Sequence, residues 1–223
     1  VLLTIDDVLT QEELAIARSM LARSAWVSGL VTAGTQAAQV KNNQQVQEND
    51  PQIVNLRRLV LGALNRNALF FTATLPEKIV PPFFNRYSGE TNHYGFHVDN
   101  AMRLLPDGSG YVRTDVSATL FLSDPQEYDG GELVINDTFG QHGVKLQAGS
   151  MVIYPSSSIH QVTPVTRGER LACFMFIQSM VRNPDQRRLL YALLQLRQNI
   201  GETPAVVSLT GTYHNLLRQW ADS

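Results

Sequence analysis

In the stretch YGFHVDNA (94–101), His97 and Asp99 stand two positions apart. In an extended segment, residues i and i+2 project to one face. One imidazole and one carboxylate could then share a metal ion. The pair alone reads equally well as two polar residues at a solvated strand end, so the chemistry depends on a third ligand. The chain has histidines at 93, 97, 142, 160 and 214. His142 sits in the turn-like TFGQHG and His214 in a polar C-terminal helix, both as surface residues. His160 differs: it opens the strand HQVTPV directly after the loop PSSSI, where a side chain can reach a cavity mouth.

Downstream, TPVTRGERLACF offers an arginine. A three-residue loop Thr166-Arg167-Gly168, with Gly168 at the positive-φ position, would close a hairpin. Pro164 would then oppose Arg170, and directly opposed residues share a face. By alternation His160 and Arg170 would point the same way, roughly 13 Å apart along the strand. That gap suits a metal at His160, a small dicarboxylate chelating it, and a guanidinium fork gripping the far carboxylate. A two-residue loop would instead send Arg170 to the opposite face, as a solvated turn charge.

Two neutral imidazoles and one carboxylate leave three positions open around a metal, the facial arrangement of non-haem Fe(II) oxygenases. The open positions matter because a co-substrate and O2 must both bind. Zinc also accepts this ligand set, but it has no need of the arginine, and no H-E-x-x-H helix is present.

The elements that must position these residues fall into a pattern. TQEELAIARSMLARS (10–24) opens on a capping box, Thr10 with Glu13, and carries Leu14, Ala17, Met20 and Leu21 at helical spacing. DPQIVNLRRLVLGALNRN (50–67) predicts a second helix with Asp50 as cap and Pro51 at its first position. NPDQRRLLYALLQLRQN (183–199) predicts another, which covers the core or pairs with a second subunit as a homodimer. Between them, from about 68 to 181, short runs bounded by Gly, Pro, Asn and Asp predict strands. DVSATLFLSD (115–124) sets Val116, Ala118, Leu120 and Leu122 against Ser117, Thr119, Phe121 and Ser123, without showing which face points inward. The fold class is mainly β with flanking helices, a sandwich, jelly roll or barrel. The domain reading is a β-core unit over 1–181 and a helical extension over 182–223. The amide-rich tract TQAAQVKNNQQVQEND (35–50) is expected as an exposed loop or a substrate-facing lid.

The bulk numbers narrow the partners. With 18 basic and 20 acidic residues the net charge is −2, so neither nucleic acid nor an anionic membrane surface is called for. No run approaches the roughly 18–20 apolar residues that span a bilayer. VLLTIDDVLTQEEL lacks a basic n-region, so no secretory signal is expected and a cytoplasmic location is. The single cysteine, Cys173, rules out an internal disulfide and fits a buried core thiol in a reducing compartment.

Three stretches, FNRYSGETNHYGFHVDNA (84–101), RTDVSATLFLSDPQEYDGGELVI (113–135) and AGSMVIYPSSSIHQVTPVTRGERLACFMFIQS (148–179), together resemble the Fe(II)/2-oxoglutarate-dependent dioxygenases. The closest resemblance is to the bacterial PKHD-type hydroxylases, relatives of the prolyl and lysyl hydroxylases, and VKNNQQV (40–46) also looks like a segment of that family. The resemblance implies a double-stranded β-helix (jelly-roll) core. It implies iron ligation by His97, Asp99 and His160, and a 2-oxoglutarate contact at Arg170. Tyr87 matches a tyrosine near the co-substrate, though a buried core tyrosine reads as well. With an acid at Asp99, the halogenase variant is not indicated. The glycines of DGGEL (129–133) read as a tight turn or bulge and Glu132 as a structural carboxylate. The implied cofactors are Fe(II), 2-oxoglutarate and O2, with ascorbate as candidate reductant. The implied reaction is hydroxylation of an unactivated C–H bond, coupled to conversion of 2-oxoglutarate to succinate and CO2. The substrate would be a small molecule, iron-related or peptide-like, with a protein side chain as the other option. Its specificity would sit in 35–50 and 100–113. A non-catalytic jelly roll that senses metal or a 2-oxo acid is the alternative reading.

Overall fold

Thr10 begins the chain's helical layer: its hydroxyl accepts from the Glu13 backbone while the Glu13 carboxylate accepts from the Thr10 N–H, closing the predicted capping box on helix Gln11–Leu21. The structure is a computed structural model describing residues 2–105, 107–138, 140–200 and 203–222. The second helix spans Ile53–Asn65, later than the sequence predicts. Asp50 does not cap it. Its carboxylate takes the N–H groups of Gln52 and Ala25 at 2.7 and 2.6 Å, pinning the helix entry to the strand Trp26–Ser28. A further helix, Ala68–Thr74, occupies the start of the region expected to be strand-rich, with Asn67 accepting from the Phe70 N–H. Its apolar run of Leu69, Phe70 and Phe71 carries no period long enough to separate helix from strand.

Two antiparallel sheets face each other. The larger has the order Leu3–Ile5, Met151–Pro155, Val116–Phe121, Arg170–Ser179, Phe83–Tyr87, Gln44–Val46 and Trp26–Ser28, with Pro76–Ile79 pairing the far end of Arg170–Ser179. The smaller runs Gly140–Val144, Leu133–Asp137, His160–Val162, His93–His97 and Lys41–Asn42. This is the double-stranded β-helix expected, but it recruits strands well upstream of 68, from Leu3–Ile5 and from within the tract 35–50. The 100–113 segment forms the hairpin Met102–Leu104 with Tyr111–Arg113, position 106 lying outside the described residues.

Strand Val116–Phe121 is buried on both faces. Val116, Ala118 and Leu120 pack with Leu56, Val60 and Leu64 of the helical layer, and Phe121 packs with Leu133, Ile135 and Val162 of the smaller sheet. The polar members of the alternation, Ser117 and Thr119, share the Phe121 side and therefore look into the gap between the sheets.

The predicted hairpin closing at Gly168 does not form. His160–Val162 belongs to the smaller sheet and Arg170–Ser179 to the larger, and Val165–Gly168 pairs instead with Tyr128–Gly130 as a separate ribbon. Here Gly168 has φ +74° and passes so close to Glu127 that a Cβ would sit 2.0 Å from its carbonyl oxygen. The DGGEL glycines do make a bulge, with a register shift at Asp129/Gly130 and positive φ at both glycines. Glu132 is exposed, and its carboxylate lies beside Gly143 of the neighbouring strand.

The C-terminal helices Pro184–Ile200 and Pro204–Trp220 form an antiparallel pair. Leu190 and Tyr213 close over Leu75 and Val181 at the end of the larger sheet. The chain end returns there too, the Asp222 N–H bonding the Met180 carbonyl at 2.7 Å.

Candidate metal centre and co-substrate cavity

His97 closes strand His93–His97, and the antiparallel register sets it directly across from His160. A one-residue register shift before Val162 turns the two rings toward each other, 4.2 Å between centroids. Asp99 lies two residues on, just beyond the paired strand, with Oδ1 4.0 Å from His97 Nε2 and Oδ2 3.8 Å from His160 Nε2. One ligand atom from each of the three lies within 4.8 Å of the others.

Both imidazoles are held in one tautomer. His97 Nδ1–H donates to the Gly95 carbonyl at 2.8 Å and His160 Nδ1–H to the Ser158 carbonyl at 3.0 Å, leaving both Nε2 lone pairs for the centre. Burial, reinforced by His160, holds the His97 pKa down to about 4, so the ring is neutral near pH 7 as a ligand must be. The Tyr94 ring stacks on His97 at 3.6 Å and Tyr154 meets His160 edge-on at 5.0 Å. Ser117 donates to Asp99, fixing the carboxylate.

The three residues line a cavity of about 550 Å³, part of it open to solvent. Arg170 lies in its wall, 1% exposed, reached from the opposite sheet and not along a common hairpin face. Tyr87 is its cross-strand partner, and the guanidinium lies 5.2 Å from the Tyr87 ring and 5.0 Å from that of Phe121. Among the described residues its Nε and Nη2 have no hydrogen-bond partner. A buried guanidinium with free donors facing a cavity fits a carboxylate ligand. Burial raises the Tyr87 phenol pKa, opposed by Arg170, so the phenol stays neutral beside the cation. Ser117 and Thr119 both line the cavity, the point that alternation alone left open. His142 and His214 are exposed, as expected, His142 lying 3.0 Å from Asp137.

Sequence reasoning missed Lys41, Asn43, Gln45, Asn85 and Arg103, all of which line the cavity. The tract 35–50, read as an exposed loop or a substrate-facing lid, buries Lys41, Asn43 and Gln45 in the cavity wall, against the first of these readings. Gln45 pairs across from Asn85 within the larger sheet, and both amides line the cavity. No period marks them in the sequence, because positions 41–45 of VKNNQQV are polar throughout and alternation cannot single out the buried face.

Residues 82–178 match the 2OG-Fe(II) oxygenase superfamily, and residues 185–222 match the PKHD-type hydroxylase C-terminal domain. The chain is 98% identical to a PKHD-type hydroxylase of Nitrosomonas europaea and 84% identical to one of Nitrosomonas eutropha, covering 100% of both partners in each case. Its fold is that of a Trichoplax adhaerens prolyl hydroxylase solved with a hypoxia inducible factor peptide fragment, at 14% identity and TM-score 0.57, over 85% of this chain and 86% of that one. Among the described residues no helix is long and apolar enough to cross a membrane. The superfamily works with Fe(II), 2-oxoglutarate and O2, the cofactors that the resemblance implied. Sequence, fold and relatives agree: the chain belongs to the PKHD-type hydroxylases, enzymes of the 2OG-Fe(II) oxygenase superfamily.

Proposed function

We propose that this hydroxylase inserts oxygen into an unactivated C–H bond of a small-molecule or peptide-like substrate, with conversion of 2-oxoglutarate to succinate and CO2. In this reading His97, Asp99 and His160 hold the iron, Arg170 receives the distal carboxylate of 2-oxoglutarate, and Tyr87 supports Arg170. The observation that carries it is the pairing of a three-ligand cluster with a buried, donor-rich arginine in one cavity. Bound there, Fe(II) with 2-oxoglutarate supplies the O2 activation that amino-acid side chains lack.

The chain's own residues do the positioning. The Gly95 and Ser158 carbonyls orient the two imidazoles, and Ser117 orients Asp99. Three protein ligands leave room for a bidentate co-substrate and one further molecule. The planar fork of Arg170, clamped between Tyr87 and Phe121, fixes the far end of a dicarboxylate. Leu133 and Val162 keep the wall beside His160 apolar, which limits water at the reacting centre.

Anaerobic titration with Fe(II) and 2-oxoglutarate tests the assignment. A visible metal-to-ligand charge-transfer band is expected in the wild type and not in His97→Ala. Confirmed iron binding with no such band would overturn the co-substrate assignment and favour a metal-binding sensor.

A further inference from the structure

Thr32 is contacted by two cations, one buried and one half-buried. Its hydroxyl accepts from Lys41 Nζ at 2.9 Å, and its carbonyl accepts from Arg103 Nη1 at 3.2 Å. Lys41 is only 8% exposed, and among the described residues the buried Arg103 Nε has no hydrogen-bond partner. Among the described residues neither cation has a carboxylate within ion-pairing distance, although both side chains line the cavity. Burial and the neighbouring Arg103 depress the Lys41 pKa to about 7, and Asp99 opposes them only in part.

Aromatic contacts do not account for the arrangement. Lys41 Nζ lies 5.2 Å from the Tyr94 ring and 6.0 Å from Phe174, and the Arg103 guanidinium lies 4.4 Å from Phe176. Such contacts return less free energy than the burial of an ion costs. Two like charges at one residue add repulsion on top. A ligand that neutralises them would remove both costs.

Position separates this pair from Arg170. Along strand Arg170–Ser179, Phe174 lies four residues from Arg170, roughly 13 Å. Lys41 sits beside Phe174 and Arg103 beside Phe176, away from the arginine that faces the co-substrate. Charge balance points the same way, and this step rests on the proposed metal and 2-oxoglutarate assignment. A divalent iron, a doubly charged 2-oxoglutarate, Asp99 and Arg170 sum to neutrality, so Lys41 and Arg103 remain uncompensated.

We propose that Lys41 and Arg103 form an oxyanion site for the substrate to be hydroxylated, which therefore carries a carboxylate, phosphate or sulfate group close to its reacting C–H bond. Phe174 and Phe176, which line the same cavity, would face the uncharged part of such a molecule.

The test is calorimetric titration of sulfate, and separately of acetate, into the full chain loaded with redox-inert Ni(II) and 2-oxoglutarate, at matched ionic strength. Binding of one anion per chain is expected, weakened about tenfold or more in Lys41→Met and in Arg103→Met and held within about threefold in Lys41→Arg. Preference for sulfate identifies a phosphate- or sulfate-bearing substrate and preference for acetate a carboxylate; thermal melting checks that each variant folds. No anion binding by wild type, or equal binding by both Met variants, would overturn the site. A parallel loss of 2-oxoglutarate affinity would also overturn it, by assigning the cations to the co-substrate. Should 2-oxoglutarate fail to bind wild type, the proposed cofactor assignment falls, and the same sulfate titration on the metal-free chain still decides the anion site.

Discussion

The Ser117 hydroxyl donates a 2.6 Å hydrogen bond to Oδ2 of Asp99, the carboxylate oxygen nearer His160. Ser156 Oγ lies 2.7 Å from Ser117 Oγ and, with the Ser117 proton committed to Asp99, must itself be the donor. The polar face of a strand buried on both sides thus serves to hold one carboxylate in one orientation.

Ser117→Ala is therefore expected to weaken metal binding about 10- to 100-fold while leaving the fold intact. Ser156→Ala, one bond further away, should have the smaller effect. Competition titration with a chromophoric chelator measures both. Equal metal affinity in Ser117→Ala and wild type would show that Asp99 needs no support from this hydroxyl.

Arg170→Lys keeps the charge and loses the fork. Loss of charge-assisted hydrogen bonds predicts a 2-oxoglutarate Kd raised about 10- to 100-fold, with metal affinity unchanged. Calorimetry on Ni(II)-loaded protein reads this directly. An unchanged Kd would remove Arg170 from the co-substrate site.

Lys41 gives a pH signature. Its folded-state pKa near 7 lies below the ordinary 10.5, so between these values the unfolded chain holds a proton that the folded chain lacks. Stability from this residue is therefore lowest at and below pH 7 and rises with pH across that window. Lys41→Met should flatten the rise and stabilise the ligand-free protein near pH 7, by on the order of 4 kcal/mol at most. Urea denaturation of both proteins at pH 7 and about pH 9 provides the comparison. A variant less stable than wild type at both pH values would contradict an uncompensated ammonium.

Removal of residues 182–222 uncovers Leu75 and Val181, both fully buried beneath the C-terminal helices. At about 1.5–3 kcal/mol for each fully exposed aliphatic side chain, the truncated chain should lose a large part of its stability. Size-exclusion chromatography and thermal melting separate this from a role in assembly. A truncated chain that melts with the full one but elutes at half its mass would assign the helices to a homodimer.

Much of this architecture is written locally. The Thr10–Glu13 capping box, the alternation in Val116–Phe121 and the DGGEL bulge each depend on neighbours within a few positions, and each formed as expected. His97, Asp99, His160 and Arg170 were equally legible as candidates, since metal and carboxylate chemistry restricts which side chains can serve, and the structure brings all four to one cavity.

How those residues meet was not legible. His97 and His160 are cross-strand partners, and Arg170 reaches the cavity from the other sheet, because the chain crosses between sheets where a local hairpin was expected. The choice between closing a hairpin and crossing to another sheet is made by close approach: Gly168 passes against the Glu127 carbonyl, a contact 41 positions away in sequence. Lys41 and Arg103 were hidden for the same reason. In sequence they are ordinary surface cations; only the tertiary packing of strand Lys41–Asn42 and the Met102–Leu104 hairpin around Thr32 takes them out of water and gives their charge a use.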